Sequence, residues 1–146
     1  MGREFYVHQV LLVTGSVPRA EEMDRPLAYF LKQEIDRRAG LDPRRKAVVV
    51  GDLWYLQNAV AHNQPTISVG GPAVNALSAA FYRALPVALA VEDLLLIQMD
   101  PALKDLRAAV WGIDHEHTRV AVATFAQERF LGAYLKAAWG KRRRPA

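Results

Sequence analysis

Asp114-His115-Glu116-His117-Thr118-Arg119 is the densest polar cluster in the chain and the first place to look for chemistry. Imidazoles exchange protons near neutral pH or bind a metal, and neighbouring carboxylates can orient the ring or share the ion. The spacing argues against a metal. Residues two apart on a helix diverge around its axis, so His115 and His117 chelate one ion only from an extended loop. Asp114 also reads as the N-cap of a helix with acid in its first turn. His115 and His117 are therefore the candidate catalytic side chains; no metal is expected and no cofactor is specified. His8 and His62 stand alone and read as structural or exposed.

A second signal comes from four turns built alike. Thr14-Gly15-Ser16, Gly51-Asp52, Gly70-Gly71 and Gly112-Ile113-Asp114 each place glycine and a small polar or acidic residue directly after an apolar run. In open α/β sheets ligands bind at the carboxyl ends of the strands, where glycine lets backbone approach and helix N-termini aim N–H groups. The candidate ligand-binding set is Gly15, Ser16, Asp52, Gly70, Gly71, Asn75 and Asp114. Gly70 and Gly71 would offer backbone donors, and Asp52 and Asp114 would hold hydroxyls. The implied ligand is small and anionic, a nucleotide or sugar phosphate. The alternative is structural: glycine makes the turn, the aspartates cap helices, and the Asn75 amide bonds its own loop. Neither G-x-x-x-x-G-K-[ST] nor G-x-G-x-x-G is present, which excludes the standard phosphate loop and dinucleotide fingerprint. Ser16 lacks a G-x-S-x-G elbow. The stretch 17–25, with Glu21, Glu22 and Asp24, is either a lid over the first turn or an exposed loop.

The elements that would position these residues follow from apolar periodicity. Val10–Val13, Ala47–Val50, Thr66–Val69, Leu94–Ile97 and Ala108–Trp111 read as strands covered on both faces. Leu27, Phe30, Leu31 and Ile35 place a helix between Asp24, its expected N-cap, and Gly40. Leu53, Leu56 and Val60 suggest a short helix capped by Asp52. Pro72 opens another, with Val74, Leu77 and Phe81 on one side, and the chain after Asp114 is helical almost to its end, with a kink or break at Gly132. Leu94–Ile97 and Ala108–Trp111 lie too close for a parallel crossover, so they should pair antiparallel or not directly. The expected architecture is an α/β three-layer sandwich with a mostly parallel, Rossmann-like sheet and an antiparallel edge strand.

Composition fits one domain over residues 1–140. The chain has 146 residues, 51% hydrophobic and 23% charged, and no cysteine, which excludes disulfides, thiolate metal sites and thiol catalysis. Its net charge of +4 equals the four charges of Lys141, Arg142, Arg143 and Arg144. Residues 141–146 therefore read as a basic disordered tail, and the body is formally neutral. Arg37, Arg38, Arg44, Arg45 and Lys46 form another basic cluster without interleaved aromatics, so nucleic acid is not an expected partner. No apolar run reaches the about 20 residues of a membrane span, and no export signal is read, which points to a cytoplasmic protein. A non-enzymatic role as a structural, self-assembling or interaction module is the competing hypothesis, with a homo-oligomer as its simplest form. Trp54, Tyr55, Trp111 and Trp139 would serve as anchors.

Thr66-Ile67-Ser68-Val69-Gly70-Gly71-Pro72-Ala73-Val74-Asn75 resembles the strand-GGP-x-x-N-helix element of archaeal S-layer-type surface domains. The segment AVWGIDHEHTRVAVATF is similar in layout to their strand, glycine turn and alanine- and valine-rich helix. The resemblance covers Ala47 to Phe125 and implies an α/β domain with a structural or assembly role. It supplies no catalytic residues.

Overall fold

A computed structural model describes residues 8–140; the basic segment 141–146 lies outside the described residues. Six strands form one sheet: β1 (Val10–Thr14), β2 (Ala47–Gly51), β3 (Thr66–Val69), β4 (Val87–Val91), β5 (Leu95–Met99) and β6 (Arg107–Gly112). Their order is β2-β1-β3-β6-β5-β4. The first four are parallel, in a register that sets Leu12 beside Val49 and Ile67, and Ile67 beside Ala108. β5 runs antiparallel to β6, with Ile97 opposite Val110, and β4 closes the edge antiparallel to β5. The α/β sandwich with a mostly parallel sheet is thus present, and its antiparallel part is two strands rather than one.

Helices cover both faces: α1 (Pro18–Met23), α2 (Arg25–Ala39), α3 (Asp52–Leu56), α4 (Ala76–Ala84), α5 (His115–Phe125) and α6 (Ala133–Gly140). Because strand side chains alternate, β1 feeds two cores. Val10 and Leu12 pack under α2, α5 and α6 with Leu31, Ile35, Phe125 and Tyr134. Leu11 and Val13 pack under α3 and α4 with Tyr55, Leu77 and Phe81. Among the described residues no helix is long and apolar enough to cross a membrane.

Local departures from the periodicity have identifiable causes. α2 buries Ala28, Leu31, Ile35 and Ala39, while Phe30, expected on that face, is exposed one position off the stripe. α3 turns Leu53 and Leu56 to solvent, and Val60 lies beyond it in a 3-10 turn and is exposed as well. Tyr55 is buried in their stead, its hydroxyl 3.0 Å from Thr66 Oγ1. The helix expected at Pro72 begins only at Ala76, after a turn. The stretch 17–25 holds α1 and the start of α2 rather than a loop. The terminal helix is interrupted: α5 ends at Phe125, and a π-helical turn, Glu128–Gly132, precedes α6.

Gly15 is where sequence and packing meet most tightly. A Cβ there would stand 1.8 Å from the Val74 carbonyl oxygen and 2.9 Å from Ala20 Cβ, so the β1 turn and the β3–α4 loop touch backbone to backbone. Gly15→Ala should lower unfolding free energy in urea by about 3 kcal/mol or more. Gly140→Ala, with nothing within 4 Å of its Cβ, should be neutral or slightly stabilising. A Gly15→Ala protein as stable as wild type would contradict this packing.

Candidate functional site

β1 and β3 are neighbours, yet the helices that follow them leave to opposite faces: α2 covers one side and α4 the other. β6, the next strand, sends α5 back to the side of α2. Adjacent strands whose chains part in this way open a crevice beyond their carboxyl ends. The four glycine turns all lie along this rim, at the ends of β1, β2, β3 and β6.

Two of the candidate side chains brace the rim. Asp52 is buried; its Oδ1 accepts from Ser16 Oγ at 2.6 Å and from the Leu53 N–H at 2.8 Å, and its Oδ2 accepts from the Ala76 N–H at 2.7 Å. One carboxylate thereby ties the turns after β1, β2 and β3. Asn75 is the N-cap of α4: its Oδ1 accepts from the N–H groups of Leu77 and Ser78. Its Nδ2 donates to the Val13 and Val69 carbonyls at 3.2 and 3.0 Å. Both donors and both acceptor sites of this amide are used by the fold.

Beside the brace lies a hollow of about 230 Å³, lined by Arg19, Met23, Asp24, Gly71, Ala73, Val74, Gly112, Ile113, Asp114, His115 and Thr118. Of the sequence-derived candidates, Gly71, Asp114 and His115 border it directly. Gly70, at φ 112°, sits behind it, with the position its Cβ would take only 2.5 Å from Asp24 Oδ2. Gly15, Ser16, Asp52 and Asn75 do not border it. Asp114 caps α5, accepting from the His117 N–H at 2.8 Å, and His117 Nδ1 lies 2.7 Å from the same oxygen. His117 is thus held by its cap and is not among the lining residues.

Two groups around the hollow stand apart from the brace. Asp24 is only 6% exposed, and its side chain makes no capping hydrogen bond. His115 Nδ1 is buried and unpartnered. Asp24 stands at the N-terminus of α2, as expected, but its side chain turns into the hollow. Burial pushes its carboxyl above the ordinary range, and the charges of His115 and Arg19 pull back less strongly. Asp114 moves the other way, held below the ordinary range first by the His117 N–H and then by the His117 ring. The pair of carboxylates across one hollow is thereby separated in proton affinity. Among the described residues no three His, Asp or Glu side chains are grouped to hold a metal.

Sequence reasoning missed Asp24 and Arg19. Asp24 looked like a helix cap, and only its burial and missing cap bond distinguish it; Arg19 lay in a stretch without periodicity. No family model and no curated protein matches the chain.

The burial of Asp24 has a consequence for stability. A folded-state value above the unfolded one means that the native state holds the proton longer, so stability falls as pH rises through that interval. Asp24→Asn should therefore raise Tm at pH 7, by about 2–4 °C for each kcal/mol relieved. The gain should shrink toward zero as pH drops below about 4, where both forms are neutral. Thermal melts at the two pH values check this; a lower Tm at pH 7 would show the carboxylate to be a stabilising partner instead.

Proposed function

We propose that the chain binds a small anionic metabolite of the sugar-phosphate class in the hollow at the carboxyl ends of β1, β3 and β6. The observation that carries this reading is a buried Asp24 carboxyl, free of any capping bond, beside an unpartnered His115 Nδ1 around one cavity. A protein seldom buries groups of this kind, because their desolvation costs stability. A ligand that bonds them during its visit accounts for their retention.

The chemistry of the lining supports an anion with hydroxyls. Arg19 offers a guanidinium, and the positive end of α5 faces the same space. Asp24, with its raised proton affinity, can donate to or accept from a hydroxyl, and His115 can do either according to its tautomer. Gly71 leaves backbone open to close approach. Size narrows the class: about 230 Å³ lies below the roughly 300–1,000 Å³ of pockets for drug-sized ligands, which favours a phosphorylated sugar over a dinucleotide. In this reading Asp52, Ser16 and Asn75 hold the rim rather than the ligand. Assembly as a structural module draws on a different part of the molecule, the outer layer of α3 and α4.

Calorimetric titration with ribose 5-phosphate, glucose 6-phosphate and inorganic phosphate tests the site. Wild type should bind at least one sugar phosphate. Arg19→Ala and His115→Ala should each weaken it by about tenfold or more, as expected for the loss of a charged hydrogen bond. No heat with any of the three compounds, or binding unchanged in both variants, would overturn the reading.

A further inference from the structure

The two helical layers are built from different residues. On one side α2 carries Arg25, Lys32, Glu34, Asp36, Arg37 and Arg38, and α5 adds Glu116 and Arg119. On the other, α3, the 3-10 turn Ala59–Asn63 and α4 hold only two formally charged residues, the buried Asp52 and Arg83. Large apolar side chains stand exposed on this second layer: Leu53 at 54%, Val60 at 62% and Tyr82 at 55%, with Trp54 and Leu56 beside them. A solvent-facing layer needs charge; a layer depleted of charge and rich in exposed apolar and aromatic groups has the composition of an interface core.

Its relief is also specific. The outward side of α4 shows Ala76, Ala79 and Ala80, a low row over its first two turns on which another helix can come close, with Ala84 and Arg83 on the same side in the last turn. α3 packs along one flank and carries Leu53, Trp54 and Leu56. Tyr82 rises on the other flank, edge-on to Trp111 with ring centroids 6.0 Å apart. A shallow alanine row between two apolar shoulders is complementary to itself: the shoulder of one copy seats beside the row of the other.

Charge fixes the orientation. Arg83 lies in the last turn of α4, at the end remote from the rim. β4 starts there and runs parallel to β6, so the turn after it, with Glu92 and Asp93, lies at the rim end where α4 begins. Glu92 and Asp93 border a small surface hollow with Tyr82 and Trp111, on the α4 side of the sheet. A two-fold axis across α4 sets the helices antiparallel and brings each Arg83 toward the acidic turn of the other copy. A parallel arrangement would set like charges together.

We infer that a second copy of the chain occupies this face, giving a symmetric homodimer in which α4 packs antiparallel to its counterpart across the alanine row. Such an isologous contact closes on itself and needs no further partner. The hollow beside Asp24 is walled by α1, the loop before α4 and the start of α5, and none of its lining residues lies on α3 or on the outward side of α4, so dimerisation and ligand binding are separable.

Sedimentation of the full chain at concentrations up to about 100 μM, ample to populate a dimer of micromolar Kd, provides the test. Wild type should sediment at twice its 16.3 kDa. Ala80→Arg should shift the dissociation midpoint at least about tenfold toward monomer with an unchanged far-UV spectrum, since an unpaired charge in an apolar contact is costly. Arg83→Glu alone, and Glu92→Lys with Asp93→Lys, should each dissociate the dimer, while an equimolar mixture of the two proteins should restore it. A monomeric wild type, a dimer indifferent to Ala80→Arg, or a mixture that stays monomeric would overturn the inference.

Discussion

The rim depends on one carboxylate. Asp52 accepts hydrogen bonds from the turn after β1, from the start of its own helix α3 and from the first residue of α4. Three chain segments distant in sequence meet at its two oxygens, and a short carboxyl side chain supplies both acceptor atoms. Asn75 works one layer deeper, clamping β1 and β3 through carbonyls near their carboxyl ends. With β1 and β3 locked at the top and their helices sent to opposite faces, the space toward β6 and α5 stays open. The hollow beside Asp24 is the consequence: a crevice whose one wall is rigid because Asp52 and Asn75 have spent their bonding capacity on it.

That division of labour gives the polar residues of the rim two separate roles. Those whose side chains are bonded within the fold, Asp52, Asn75 and Ser16, set geometry. Those outside the brace, Asp24 and His115, face the cavity. Gly70 links the two sets, since its missing side chain and positive φ make room for the Asp24 carboxylate directly above the end of β3. The opposite proton affinities of Asp24 and Asp114 arise from the same logic: burial raises one, and donation from the α5 backbone lowers the other.

Much of this was legible in the residues. Apolar runs, four of them ending at glycine, located five of the six described strands, because a strand covered on both faces has few polar interruptions. β4 escaped notice for the complementary reason: its sequence VALAV has two alanines in five residues, is edge-exposed and is preceded by Pro86, so it carries neither strong strand propensity nor clean alternation. The convergence of the four turns on one rim could be anticipated from the α/β pattern, but not which turns would open and which would close. That outcome rests on contacts between residues such as Gly15 and Val74, far apart in the chain, and periodicity carries no information about them. α3 misled most, since Leu53 and Leu56 look like core by type yet face outward, while Tyr55 between them is buried.

The central claim is that ligand is gripped beside Asp24 and not at the brace. Amide chemical-shift mapping of the full chain during titration with a sugar phosphate addresses it residue by residue. Perturbations centred on Arg19, Asp24, Gly71 and His115, with Ser16, Leu53 and Leu77 little changed, are the predicted pattern. Shifts centred instead on the braced turn around Asp52, or none at saturating phosphate ester, would contradict it.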